Sequence, residues 1–402
     1  MKLLVITTRS PYPLHEGRAL RSYNLLKQAA KHHDVYLLTF VHTPEEVEGI
    51  AHLRSLCARV EAVPLYLGRQ KWWVIYDALR EAFGAAPIKA VKYRSRAMRA
   101  KVRALLSGVP IDLVVLDMLP SGEYLDLCAH KPVILDEHNV ESALWLQGAV
   151  NASNPLVRLY LSYQHRKLRA YETRICRGVD QVVAVSDLDA RQLEELAGIS
   201  GVVTIPNGVD TAYFADSGAP ARANSLVYVG GLTWAPNQDA IRYFCSEILP
   251  RLAAEVPEVS LTVIGKVPSG GDFRDIVDNP RVRMTGLVDD VRALIAAASA
   301  YVVPLRVGGG TRLKILDALA MAKPLVSTSV GCEGLDVIHG QHLLIADTPE
   351  AFAQQVLCVL REPDLARRLG LAGRRLVEQR YDWDVIARGL NSVYERCARL
   401  EK

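Results

Sequence analysis

Short runs rich in Val, Ile and Leu alternate along this chain with longer stretches whose apolar residues recur at helical spacing. KLLVITT precedes RALRSYNLLKQAAKH, and VYLLTF precedes PEEVEGIAHLRSLC; VEAVPL, IDLVVLD, KPVILDEHN, VDQVVAVS and GVVTIPNG continue the series. Near-continuous apolar runs predict strands buried on both faces, and helical crossovers between them predict right-handed βαβ units on a parallel sheet. A first domain over residues 1–206 follows. TAYFADSGAPARANS is small, polar and turn-rich, so residues 207–224 read as a linker. The rhythm restarts with SLVYVGG, DAIRYFCSEILPRLAAE, VSLTVIG, AYVVPLR, TRLKILDALAMA and PLVSTS, which predicts a second domain over 225–380. Residues 381–402 read as a C-terminal helix near the domain interface. The class predicted is α/β, with two doubly wound, Rossmann-like parallel sheets facing across a cleft where a ligand binds.

With 402 residues, half of them apolar, the chain can bury a large core. Its balance of 48 basic to 44 acidic residues excludes a dedicated nucleic-acid binder. Seven scattered cysteines with no CxxC pair point to a reduced, cytoplasmic protein. The first residues lack the apolar core of a signal peptide, and the longest apolar-rich stretch, Ala293 to Leu305, is too short to span a bilayer. Charge is uneven, however. Residues 85–110 hold Lys89, Lys92, Arg94, Arg96, Arg99, Lys101 and Arg103 without an acid, just after Trp72 and Trp73. Such a surface suits the inner face of an anionic membrane; the plainer reading is a solvated helix face with the tryptophans in the core.

The densest chemistry lies in PLRVGGGTRLKILDALAMAKPLVST, residues 304–328. A strand ends, Gly308, Gly309 and Gly310 follow, and a helix begins at Thr311, an arrangement that lets backbone N–H groups and the helix dipole meet an anion such as a diphosphate. Arg306, Arg312 and Lys314 stand around this turn to neutralise a leaving nucleoside diphosphate, and Asp317 is placed to accept ribose hydroxyls. The plainer alternative is a simple strand-to-helix turn with solvated cations. His138 ends PVILDEH at the carboxyl edge of a strand, where an imidazole can position a sugar hydroxyl or shuttle a proton. Asp117, at the end of the preceding strand, falls in the same neighbourhood, and Asp136 precedes the histidine by two residues. Asp187-Leu188-Asp189 has the letters of a DxD metal motif but opens a helix far from the glycines.

GGGTRLKILDALAMAKPLVST resembles the donor-site motif of the retaining GT-B glycosyltransferases of family 4, and the resemblance extends over nearly the whole chain. PYPLHEGRALRSYNLL, DEHNVES, VVAVSDLDARQL, VVTIPNGVDTAYF, YVGGLTWAPNQDAI, VIGKVP, VRMTGLVDDV and VGCEGLDV follow in family order. The resemblance implies that Asp317 binds the donor ribose and that Gly17, Gly230, the backbone at Val288, and Gly308 to Thr311 lie at the donor. Arg18 and Arg21 are assigned to the acceptor side. Two departures stand out in the motif: the usual Glu eight positions before the ribose acid is Gly309, and that acid is Asp. The loop GGLTWAPN also lacks the family's basic residues, so the cationic role passes to Arg306, Arg312 or Lys314. The activity implied is transfer of a sugar from a nucleotide-sugar donor, UDP favoured, to a saccharide or lipid-linked acceptor in envelope glycan synthesis, with retention and without a metal or cofactor. The rivals are a sugar-nucleotide epimerase of the same fold and a non-catalytic binding scaffold. A dinucleotide dehydrogenase is disfavoured, because PYPLHEGR and not GxGxxG follows the first strand.

Overall fold

The computed structural model describes residues 1–14, 17–65, 86–128, 130–216, 218, 220–267, 274–307 and 313–400. They form two units: residues 1–206 with 386–402, and residues 207–385.

The first unit carries a seven-stranded parallel sheet: β1 (Lys2–Thr7), β2 (Asp34–Val41), β3 (Arg59–Pro64), β4 (Leu113–Asp117), β5 (Val133–Asp136), β6 (Gln181–Ala184) and β7 (Val203–Thr204), in the order β3-β2-β1-β4-β5-β6-β7. Its principal helices are α1 (Gly17–Ala29), α2 (Pro44–Leu56), α3 (Arg96–Gly108), α4 (Glu141–Asn151), α5 (Pro155–Gly178) and α6 (Asp187–Ala197). Helix starts follow their caps: Thr43, Ser95, Asn154 and Ser186 each accept a backbone N–H of the first turn of α2, α3, α5 and α6. The central strands β4 and β5 have no exposed residue, as their unbroken apolar runs require. Register fixes the chemistry at the sheet's carboxyl edge. Thr39 pairs with Thr7, Thr7 with Asp117, and Asp117 with Asp136, so β1, β4 and β5 end in one polar row that Thr39 of β2 extends.

The second unit has six parallel strands: β8 (Arg222–Val229), β9 (Ser260–Ile264), β10 (Val282–Gly286), β11 (Ala298–Val303), β12 (Leu325–Ser327) and β13 (Leu344–Ile345), in the order β10-β9-β8-β11-β12-β13. Among its helices are α7 (Ala235–Tyr243), α8 (Leu313–Ala320), α9 (Pro349–Arg361) and α10 (Pro363–Arg380). One apolar cluster gathers Leu226, Phe244, Leu261, Val302 and Phe352, and another Tyr301, Ile315, Leu319 and Val377.

The segment read as a linker packs with the second unit. Val209 N–H donates to Tyr381 O at 2.8 Å, Thr211 hydrogen-bonds Asp382, and Arg374 of α10 holds Phe214 O at 2.7 Å. The last helix, α11 (Trp383–Ala398), begins in the second unit and joins the first from Ile386. There Asn391 lies 3.3 Å from the His33 ring, with Tyr394 beside it. Among the described residues no helix is long and apolar enough to cross a membrane.

Candidate active site

At the carboxyl edge of the first sheet a buried charge network is built on the Asp117–Asp136 register pair. Arg21 of α1 grips Asp136 with two bonds, Nη2 to Oδ1 at 2.6 Å and Nε to Oδ2 at 3.2 Å, and its remaining nitrogen donates to Ile205 O at 2.9 Å and Pro206 O at 3.2 Å. His138 Nε2 lies 2.8 Å from Asp117 Oδ1 and 3.5 Å from Asp136 Oδ2, while Ser22 Oγ donates to Asp117 Oδ2 at 2.7 Å. Burial works against a charged imidazole here, but the Asp117 and Asp136 carboxylates outweigh it and lift His138 to about 9. Burial likewise opposes ionisation of Asp136, yet Arg21 and His138 hold its carboxyl well below the usual range. At neutral pH an arginine and an imidazolium therefore face the Asp136 carboxylate. The same Asp117, Asp136 and His138 atoms are close enough together to hold a cation, but Arg21 and the ring proton already neutralise them.

This overturns one assignment made from the sequence. Arg21 is 1 % exposed, so it cannot bind an acceptor; it holds Asp136 and ties α1 to the chain at Ile205. Gly17 and Arg18 open α1, and Arg18's side chain lies outside the described residues.

The segment from Glu137 to Ser142 is braced from α5. Glu172 accepts Glu141 N–H at 2.7 Å and Ser142 N–H at 3.1 Å, capping α4, and burial raises its carboxyl to about 7. Glu137 is raised further, first by burial and then by Glu172 and Glu141; Lys89 pairs with Glu141. Sequence reasoning missed Glu172, whose one signal was an acid closing a stretch of basic and apolar residues from Ser142 to Ala170.

Next to the network lies a cavity of about 340 Å³ lined by Thr8, Ser10, Ser22, Glu46, Asp117 and Met118, among others. Met118 has φ +70°, a costly conformation for a non-glycine residue, which turns the chain sharply where β4 delivers Asp117.

In the second unit, α8 presents Lys314 and Asp317 three residues apart, on one helix face. Lys314 Nζ donates to Tyr228 OH at 2.9 Å and Asn237 Oδ1 at 3.0 Å and sits 4.3 Å from the Tyr228 ring centre. It thereby reaches the loop after β8 that has no basic residue of its own: a methyl group on Gly230 would stand 2.6 Å from Lys314 Nζ. Gly265, at φ +145°, packs equally close on Gly230, where a side chain would meet the Gly230 carbonyl at 2.6 Å. Half-buried Asp317 is raised by burial to about 7. Arg306 is spoken for, paired with Asp239 at 2.6 Å and stacked on Tyr243. Val288, after β10, packs against the apolar cluster. Gly308, Gly309, Gly310, Thr311 and Arg312 lie outside the described residues, as do Trp72 and Trp73. Asp187 and Asp189 bond Thr204 and Ser186 around the start of α6, which accounts for the DxD letters structurally.

Both sheets, their order and their all-parallel register define a Rossmann-like, two-unit fold of the GT-B class. Residues 17–213 match the family described as Glycosyltransferase Family 4, and residues 223–362 match Glycosyl transferases group 1. The chain belongs to glycosyltransferase family 4 and is a glycosyltransferase. It is 22 % identical over 393 residues to a 44.6 kDa protein in the cps region of Klebsiella pneumoniae, covering 95 % of this chain and 96 % of that one. It is 29 % identical over 233 residues to the phosphatidyl-myo-inositol mannosyltransferase of Mycobacterium tuberculosis, a match that spans 54 % of this chain and 59 % of that enzyme. Anabaena HepE in complex with UDP has the same fold, at TM-score 0.68 and 15 % identity over 98 % of this chain and 100 % of that one.

Proposed function

We propose that the enzyme transfers a sugar from a UDP-sugar, with retention at the anomeric carbon, to a saccharide or lipid-linked acceptor in envelope or polysaccharide assembly. The observation that carries the donor half is Lys314 set against Gly230. A cation on the first turn of α8, beside a loop whose Gly230 leaves no room for a side chain, suits a diphosphate that needs both charge and close backbone approach. Asp317 on the same face takes the ribose hydroxyls. Transfer needs no metal in this reading, because Lys314 and the backbone supply the positive charge on the departing UDP.

The acceptor half rests on the cavity beside Asp117. Asp117 meets the incoming hydroxyl, and His138, 2.8 Å away, orients its carboxyl group. UDP in the Anabaena relative, the cps region of the Klebsiella one and the phosphatidyl-myo-inositol acceptor in the mycobacterial enzyme's name support the donor, pathway and acceptor classes. The test is UDP release from UDP-sugars with saccharide and polyprenyl-phosphate-linked acceptors, with the product's anomeric coupling read by NMR. Acceptor-dependent UDP release with an unchanged anomeric configuration is expected; hydrolysis alone, or an inverted product, contradicts the reading.

A further inference from the structure

The outer end of the α4–α5 hairpin turns an apolar helix face toward solvent. In α5 the buried set begins only at Gln164 and continues with Leu168, Tyr171 and Ile175; none of residues 155–163 is buried. Within that first part, Leu156, Leu159, Tyr160 and Tyr163 fall at i, i+3, i+4 and i+7, the spacing that ordinarily marks the side facing a core. Here they are 76, 69, 41 and 43 % exposed. Val150, at the end of α4, adds a further apolar side chain at 68 %. Seven of the eighteen exposed large apolar side chains among the described residues fall between Leu146 and Tyr163, so the exposure is concentrated and not the ordinary scatter of a surface.

Charge on the outer part of the hairpin has one sign. From Ser142 to Ala170 the sequence contains Arg158, Arg166, Lys167 and Arg169 and no acidic residue. Arg166 and Lys167 continue the apolar face by one further turn, and Lys167 Nζ lies 4.7 Å from the Tyr163 ring centre. Beyond them an open groove of about 990 Å³ is lined by Arg166, Arg169, Arg174 and Arg177 with His165. By contrast, in the basic segment 85–110, Lys89, Arg94, Arg99 and Lys101 are paired with Glu141, Glu123, Asp126 and Glu61. The basic charge legible in that segment is thus largely cancelled, while the hairpin's lies beside exposed apolar surface.

We propose that the α4–α5 hairpin is a membrane-docking surface that inserts its apolar face among the acyl chains of an anionic bilayer, with Arg166, Arg169 and the groove behind them on lipid phosphates. An apolar helix face bordered by basic residues is the pattern of interfacial binding, and both contributions are needed for stable attachment. A second copy of the chain is the poorer occupant: a two-fold contact sets the same patch against itself, and the basic residues repel. The proposal goes beyond the donor and acceptor reading and stands without it.

The test is co-sedimentation of the full chain with vesicles of phosphatidylglycerol and phosphatidylcholine, with pure phosphatidylcholine vesicles as the neutral comparison and no sugar nucleotide present. Wild-type protein is expected in the pellet with anionic vesicles only, less so as salt is raised. Leu156→Glu and Leu159→Glu should each weaken binding by about tenfold or more. Arg166→Glu and Arg169→Glu should each weaken it by about fivefold or more. All four side chains are solvent-facing, and an unchanged thermal transition shows that the variants are folded. Arg96→Glu with Arg103→Glu, in the other basic segment, should leave binding within about twofold. The proposal is overturned if wild-type protein ignores anionic vesicles, if the leucine variants bind as wild type does, if the Arg96 and Arg103 changes abolish binding, or if sedimentation equilibrium shows a dimer that the leucine changes dissociate without any vesicle binding.

Discussion

The two sheets finish at their carboxyl edges in opposite ways. In the first unit the register of β1, β4 and β5 sets polar side chains in a row, and the fold answers with Arg21 and His138, so buried charge meets buried charge. In the second unit, among the described residues, Gly230 and Gly265 leave no room for a side chain at the corresponding edge, with Lys314 resting on Tyr228 and Asn237 and Asp317 raised by burial. A prepaired network is a rigid wall that positions a carboxylate, whereas a bare edge with a cation beside it is room for a charged ligand. The first is held by its own electrostatics; the second holds a cation and a carboxyl on one face of α8.

The sharpest way to break this contrast is Arg21→Met. It strands Asp136 in a buried site, and loss of one partner of such a pair costs about 3–5 kcal/mol, read as a lower urea midpoint for the first unit. A midpoint unchanged within error means that the network does not hold the unit together.

The pH dependence comes next. His138 binds its proton more tightly folded than unfolded, so its stabilisation is complete below the ordinary histidine value and is lost as pH rises through about 9. His138→Gln should remove about 2 kcal/mol of that fall between neutrality and pH 9 in denaturant titrations. A parallel pair of stability curves contradicts the charged-imidazole assignment.

In the second unit the largest effects should appear in binding. Asp317→Ala is expected to weaken UDP by about ten- to a hundredfold, the worth of hydrogen bonds to a charged group, with no loss of stability. Asp317 also has a raised carboxyl, so its stabilisation is present at acid pH and is lost as pH rises through about 7; Asp317→Asn should flatten that part of the profile. Lys314→Met should weaken UDP about tenfold while leaving uridine binding nearly unchanged, because only the diphosphate meets the ammonium. Equal losses for UDP and uridine place Lys314 away from the phosphates.

The alternation of strands and helices and the two parallel sheets that it builds follow from local signals, because apolar runs and caps act over a few residues. The pairing of Arg21 with Asp136 spans 115 residues and depends on register, so the sequence shows an arginine on an early helix and nothing of its burial. Lys314 reached a loop some eighty residues away for the same reason. Glu172 and the exposed face of α5 escaped notice because a helical apolar spacing looks the same whether it meets a core or the solvent. The pairing within the basic run 85–110 is equally hidden in the sequence, since the acidic partners of Lys89, Arg94, Arg99 and Lys101 are Glu141, Glu123, Asp126 and Glu61, outside the run.

The central claim, that the second unit receives a nucleoside diphosphate at Lys314 and Asp317, is tested most directly by calorimetric titration of wild-type and Asp317→Ala protein with UDP, GDP, ADP and dTDP. One clear preference for UDP at micromolar affinity, reduced at least tenfold by Asp317→Ala, is the expected result. No binding of any of the four, or binding that Asp317→Ala leaves untouched, contradicts it.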